Sequence, residues 1–151
     1  MSNATYTEKE RAILRQAEII YARKLRTHSI TDVGLAKCYC QSKLAHNERE
    51  VFAIVALDSQ HQVIEFIELF FGTINAASVY PREVVKAALK HNSSALFLVH
   101  NHPSCTNLPS EADKQITRRI TAACELMDIS VLDHFIVSAS GAYSFAEHGL
   151  L

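Results

Sequence analysis

The sequence predicts an α/β sandwich, in which a mixed β-sheet is covered by helices. Residues 50–57 are apolar at every position after the first, so both faces of this strand must be covered. A polar turn and a second apolar run at residues 63–71 complete a hairpin, so part of the sheet is antiparallel. Helices and strands then alternate along the chain, which favours helices packed against one sheet.

Two helices are predicted before the sheet. The spacing from Thr7 to Glu10 is that of a capping box, and it begins a helix with an apolar stripe that ends near Leu25. A second helix is predicted over residues 32–44, although Gly34 is unfavourable inside it. We expect residues 1–46 to form a helical segment packed on a core of residues 47–151, giving one structural domain overall.

The remaining elements follow the hairpin. Gly72 interrupts the second strand, and a short extended piece is expected as far as residue 77. Pro81 suits the first turn of a helix that continues to about Lys90. Further on, the pattern predicts a buried strand at 95–99, a helix at 110–127, a strand at 129–137, a turn at 138–141 and a last strand around 143–145.

Composition limits the classes of function. The chain has 151 residues, enough to bury roughly two thirds of its unfolded surface, so it needs no metal merely to fold. Its 15 basic and 16 acidic residues leave a net charge of −1, so a nucleic-acid partner is possible but unsupported by charge. The absence of a C-x-x-C pair, a signal peptide and a membrane-length apolar run predicts a reduced, cytoplasmic protein without membrane association. The oligomeric state is not indicated.

Two histidines follow the buried strand at residues 95–99. His100 and His102 are two residues apart, so on a strand they point to the same side. The carboxyl end of a strand is the usual edge for a site in an α/β sheet. Neutral imidazole is a good zinc ligand, and these two side chains can share one ion.

Asp113 is the third candidate ligand. The helical period places it in one inward-facing stripe with Ile116, Ile120, Cys124 and Met127. A carboxylate buried there must be paired or bind a metal ion. Two imidazoles and one carboxylate leave a fourth position open, as in catalytic zinc sites.

A capping box is the alternative interpretation of Asp113. The spacing from Ser110 to Asp113 is that of a serine and an acidic residue that cap a helix reciprocally. The two interpretations are compatible, because the hydroxyl of a capping serine can face the same site.

These residues resemble a known family signature. JAMM (MPN+) metalloproteases carry His-x-His-Pro, six residues, Ser, two residues and Asp, and residues 100–113 match this pattern without a gap. The run His-Asn-His-Pro-Ser, residues 72–84 and Leu132-Asp133-His134 resemble the bacterial RadC-like branch of this JAB superfamily. The resemblance extends from Glu50 to the C-terminus.

The resemblance implies a cytidine-deaminase-like JAB/MPN core with one Zn²⁺ per chain. It implies a metallopeptidase or isopeptidase that hydrolyses a substrate of unknown identity with water activated by zinc. Glu50 would be the general base and Ser110 would stabilise the oxyanion. Glu48, Glu65 and Glu68 are alternative bases.

A non-enzymatic accessory module or a DNA-repair-associated binding module on the same fold is the alternative function. The complete ligand set favours the enzyme, because a scaffold that had lost catalysis would be expected to lose a ligand. A zinc nucleobase deaminase would need His-x-Glu and Pro-Cys-x-x-Cys, and the sequence contains neither.

Two further residues near the signature leave alternatives open. Cys105 stands where the RadC-like pattern has glycine, so a positive φ there would strain the loop. Its thiolate either reaches the metal or faces solvent. His134, in an apolar strand, either orients a metal ligand or is a hydrogen-bonded structural histidine.

Overall fold

The mixed α/β sandwich predicted from the sequence is confirmed by the computed structural model, which describes residues 6–27, 32–75 and 78–151. The helices in this part of the chain are α1 (Glu8–Thr27), α2 (Val33–Leu44), α3 (Pro81–Lys90) and α4 (Glu111–Glu125). The strands are β1 (Val51–Leu57), β2 (Val63–Phe71), β3 (Ala95–Asn101), β4 (Ser130–Ser138) and β5 (Gly141–Ser144), and a short 3₁₀ helix follows at Ala146–His148.

At one end of the sheet, β1 begins while β3 and β4 end. The order is β2-β1-β3-β4-β5, and β3 pairs with β4 in parallel while its other neighbour, β1, is antiparallel. A parallel pair needs a long crossover, and α4 lies in it. Phe52 near the start of β1 faces His100 near the end of β3. The segment that enters β1 therefore lies beside the residues that leave β3.

The two faces of the sheet have separate apolar cores. Side chains of α1 and α2 pack with Val51, Ala53 and Val55 of β1 on one face. Side chains of α3 and α4 pack with Phe52, Ile54 and Ala56 on the other. Each residue of β1 is at most 2% exposed, which confirms the prediction that this strand is covered on both sides.

The N-terminal caps follow the sequence pattern. Thr7 and Glu10 form the expected capping box, with Thr7 N donating to Glu10 Oε2 at 2.7 Å. Asp32 caps α2 by accepting from the backbone N–H groups of Gly34 and Leu35. A Cβ at position 34 would lie 3.1 Å from Asp32 Oδ1, so glycine leaves room for this cap. The boundary between residues 46 and 47 stays a prediction.

The structure differs from the sequence prediction at three places. Met127 is 46% exposed, because α4 ends at Glu125 and Asp128 has a φ of +56°. The last strand begins at Gly141 rather than near residue 143, because Ser138 pairs with Gly141 across a two-residue turn. Residues 72–75 form no strand, and residues 76 and 77 lie outside the described part of the chain.

Candidate metal centre

Three side chains converge at the end of β3. The Nε2 atoms of His100 and His102 lie 2.9 Å apart. His100 Nε2 lies 3.1 Å from Asp113 Oδ1, and His102 Nε2 lies 3.5 Å from Asp113 Oδ2. In the described ranges, no other group of three or more histidine, cysteine or acidic side chains could hold a metal ion. The structure therefore brings together the three residues that the sequence predicts as ligands.

An ionised carboxylate lies at the centre of this cluster. The side chains of His100 and Asp113 are 1% and 4% exposed, whereas that of His102 is 14% exposed. Burial opposes ionisation of Asp113, but hydrogen bonds with His100 and His102 outweigh it and hold its pKa well below the usual range. The same contact with Asp113 is the main cause that raises the pKa of His102.

Asp113 caps α4 and joins the cluster at the same time. Its Oδ2 accepts from Ser110 N and Ser110 Oγ, both at 2.7 Å, and Ser110 Oγ accepts from Asp113 N at 3.1 Å. Its Oδ1 faces His100. The capping box and the convergence of donors therefore coexist, and the start of α4 fixes the carboxylate that faces the two histidines.

A loop after β3 orients His102. The carbonyl oxygen of Thr106 accepts from His102 Nδ1 at 3.1 Å, so Nδ1 carries the proton. Cys105, in the same loop, has a φ of +63°, which is the left-handed conformation that favours glycine. Its side chain is exposed and is not among the converging donors, so the solvent-facing alternative is the one observed.

Glu50 lies on the same side of the sheet as His100. It precedes Phe52 by two residues, and Phe52 is the partner of His100 across the β1–β3 pair. Glu50 Oε2 accepts from Ile74 N at 2.5 Å, and the charge of Glu50 contributes to the raised pKa of His102.

The alternative bases are placed differently. Glu48 is exposed, and Glu65 and Glu68 are exposed on the edge strand β2, which β1 separates from β3. Among the four candidates, Glu50 is the one whose charge acts on His102.

Asn101 is a structural residue that the sequence analysis missed. Its side chain is fully buried and bonds the segment that enters β1. Asn101 Oδ1 accepts from Val51 N at 2.7 Å, and Asn101 Nδ2 donates to the carbonyl oxygens of Arg49 at 3.0 Å and Asn47 at 3.3 Å. Asn101 thus anchors the segment that carries Glu50. The sequence signal was available, because an amide in an otherwise buried strand requires partners.

His134 contacts the far side of His100. His134 Nε2 lies 2.9 Å from His100 Nδ1, and His134 Nδ1 lies 2.6 Å from Thr117 Oγ1. His134 is fully buried, and this burial holds its pKa well below the usual range, so the ring is neutral. Of the two alternatives for His134, contact with a candidate ligand is observed. Thr117 was missed, although it lies one turn after Asp113.

A groove of about 1030 Å³ leads away from the exposed side of the cluster. His102, Pro103 and Cys105 line the end nearest the cluster, and the rest of the lining includes residues of α1, of the segment 45–49 and of β2. Its charged side chains have both signs, since the lining includes arginines and glutamates: Arg11, Arg15, Arg49, Glu18, Glu48 and Glu68. The groove therefore gives His102 an approach from solvent.

Fold and donor cluster together define a JAB/MPN-type domain with a possible metal site. The sequence profile of the family described as RadC-like JAB domain matches residues 30–150. The chain belongs to this family.

Three relatives extend the comparison. The chain is 50% identical over 141 residues to a UPF0758 protein of Aeromonas hydrophila, covering 93% of this chain and 63% of the relative. Its identity to a UPF0758 protein of Tolumonas auensis is 53% over 126 residues, covering 83% and 56%. For a UPF0758 protein of Vibrio cholerae it is 49% over 146 residues, covering 97% and 92%. The chain thus spans less than two thirds of the first two relatives and almost all of the third.

None of the helices in the described residues is both long enough and apolar enough to cross a bilayer.

Proposed function

We propose that this chain is a zinc-dependent hydrolase that cleaves peptide or isopeptide bonds. The observation that carries the proposal is the convergence of His100, His102 and Asp113. Bonds of about 2.0–2.1 Å in a tetrahedral zinc site separate neighbouring donor atoms by roughly 3.3 Å. The observed separations of 2.9, 3.1 and 3.5 Å bracket this value. Two imidazoles and one carboxylate also form a donor set that suits zinc and leaves one position for a reactant.

The surrounding residues supply the proton transfers. A bound zinc ion would supply Lewis acidity that polarises a carbonyl group and makes water acidic near neutral pH. Glu50 takes a proton from the attacking water and passes it to the leaving amine. The bond from Ile74 N holds the Glu50 carboxylate in place. Ser110 Oγ turns from Asp113 towards the substrate and donates to its oxyanion.

The groove beside His102 supports a chain-like substrate. It is long enough to reach α1, and its walls offer apolar and charged side chains of both signs, such as Leu14, Arg15 and Glu48. A peptide segment could lie in it with the scissile bond near His102. We further propose a cytoplasmic location, which is supported by four free cysteines.

Paired glutamine variants test the assignment of the base. The zinc-loaded wild type should hydrolyse at least one member of a panel of linear and isopeptide-linked peptides. Glu50→Gln should retain zinc and lose about 10²–10⁴-fold in kcat, because it keeps the shape of the side chain but removes its basicity. Glu48→Gln is the matched control and should remain active. Loss of zinc in Glu50→Gln would instead make Glu50 a ligand.

The same panel tests the alternative function. A zinc-loaded wild type that cleaves no member of it would contradict the hydrolase proposal and favour an accessory binding module. Full activity of Glu50→Gln with loss in Glu48→Gln would move the base to Glu48.

A further inference from the structure

A buried chain of polar groups runs from the candidate ligand His100 back to the backbone of Asp113. His100 Nδ1 lies 2.9 Å from His134 Nε2, and His134 Nδ1 lies 2.6 Å from Thr117 Oγ1. Thr117 Oγ1 lies 2.6 Å from the carbonyl oxygen of Asp113. We call these four residues the relay. It links β3, β4 and α4 behind the cluster.

The number of protons fixes the direction of each bond in the relay. A carbonyl oxygen can only accept, so the single hydroxyl proton of Thr117 goes to Asp113. Thr117 Oγ1 must then accept from His134 Nδ1, so Nδ1 carries a proton. The His134 ring is fully buried against Phe52 and Phe145 and forms no ion pair among the described residues, and a charge is costly to bury in such a place, so the ring carries this proton alone. His134 Nε2 is consequently an acceptor, and His100 Nδ1 donates to it. For a neutral His134 ring, this is the arrangement that satisfies all three contacts.

We infer that Thr117 and His134 are positioning residues that keep a proton on His100 Nδ1, so that Nε2 is the ring nitrogen offered to a metal ion. The carbonyl oxygen of Thr106 has the same effect on His102, because it accepts a hydrogen bond from His102 Nδ1. Both Nε2 atoms and the carboxylate of Asp113 face the same point. A metal ion bound there would take the place of the protons in the hydrogen bonds between Asp113 and the two histidines. The proton held on Nδ1 makes His100 ready to bind zinc before the metal arrives. The role of Thr117 and His134 therefore rests on the proposed zinc-dependent function.

Aromatic rings enclose the inner part of the relay. Phe145 stacks on the His134 ring with centroids 4.6 Å apart, and Phe52 lies against both His134 and His100 at 5.7 and 5.9 Å. His134 is 0% exposed and Thr117 is 1% exposed. A buried group that lost its partner here would stay unpaired, because water does not reach it. The relay is therefore a fixed part of the site.

The tautomer of His134 in the wild-type protein tests the bond directions in the relay directly. Two-dimensional ¹H–¹⁵N correlation of the ring nitrogens distinguishes the two neutral tautomers. We expect His134 to carry its proton on Nδ1, both in zinc-loaded protein and after the metal is removed. A proton on His134 Nε2 would overturn the inference, and a histidine with only a packing role gives no reason to expect either form.

Two matched valine variants test the effect on metal binding. Thr117→Val keeps the shape of the side chain but removes the acceptor of His134, and zinc affinity should fall about 10–100-fold. Thr121→Val is the control, because its buried Oγ1 lies on the same helix and has no hydrogen-bond partner among the described residues. It should bind zinc like the wild type. Thr117→Ser keeps the hydroxyl and should recover most of the affinity.

The two proposals fail in different ways. Equal zinc affinity in Thr117→Val and Thr121→Val would contradict the relay while leaving the zinc site intact. A wild type that binds no zinc would contradict the proposed function, yet the tautomer of His134 would still test the relay. Should Thr117→Val fail to fold, the tautomer and the Thr117→Ser affinity decide the question.

Discussion

His100 near the end of β3 and His102 just after it point to the same site, but their surroundings differ. His100 is buried, and the side chain of His134 on the neighbouring strand holds it. His102 lies at the rim, where a carbonyl of the following loop holds it. The difference shows that this site has an interior half built from regular elements and an outer half built from a loop. We expect the interior half to affect stability and the outer half to affect access.

The largest expected difference is between two alanine variants of zinc-free protein. His100→Ala removes a buried ring and leaves His134 Nε2 unpaired, so it should lower the free energy of unfolding by about 3 kcal/mol. His102→Ala should cost less than about 1 kcal/mol, because its ring is partly exposed. Urea denaturation of both variants measures this. Equal losses would remove the distinction between the two halves.

A second comparison concerns Asn101, whose side chain lies on the opposite face of β3 from His100. Asn101→Leu keeps the volume but leaves the N–H of Val51 and two carbonyl groups without their partner, which should cost about 2–3 kcal/mol. Gln41→Leu is the control, because its half-buried side chain donates to Ser138 O and makes no other hydrogen bond with the described residues, so it should cost about 1 kcal/mol or less. Urea denaturation compares the two. A loss in Asn101→Leu no larger than that in Gln41→Leu would show that the segment entering β1 is anchored otherwise.

The three converging side chains could be predicted from sequence. Alternation on β3 puts His100 and His102 on one side, and the helical period puts Asp113 inward, because each rule depends only on local spacing. The relay could not be predicted in the same way. His134 meets His100 because β3 and β4 pair in parallel with a register shift between Leu96 and Phe97, and this register is set by packing of the whole sheet.

The outer half was less predictable. The conformation of Cys105 depends on how the loop closes, and its carbonyl oxygen accepts from Ser140 Oγ on the turn after β4. Glu50 bonds to Ile74, 24 residues away, in a segment where the sequence predicted an extended piece. Both contacts join loops that are distant in sequence, so they cannot be predicted from the helical or strand period of the sequence.

Removal of the metal should leave the secondary structure in place. The two apolar cores on the faces of the sheet do not depend on the cluster for their packing. Chelation should therefore leave far-UV circular dichroism largely unchanged. It should lower the thermal midpoint by roughly 5–10 °C relative to protein with free zinc at about 100 times its Kd. Global unfolding on chelation would make the metal structural rather than chemical.

The smallest expected effect is at the loop that orients His102. Cys105→Gly relieves the positive φ at this position and should stabilise the protein by about 0.5–1 kcal/mol, after the greater freedom of glycine in the unfolded chain is subtracted. Cys105→Ser removes the thiol but keeps the strain, so its stability should match the wild type. Thermal unfolding distinguishes them. If the serine variant were as stable as the glycine variant, the gain in stability would come from removing the thiol and not from relieving the positive φ.

Zinc content tests the central claim most directly. Protein purified without a histidine tag should contain about one zinc ion per chain by elemental analysis, as expected for one site with three protein ligands. His46→Ala is the control, because His46 lines the groove but is not among the converging donors, and it should keep that content. His102→Ala should contain almost none. Zinc-free wild type, or equal zinc in His102→Ala and His46→Ala, would contradict a metal centre formed by His100, His102 and Asp113.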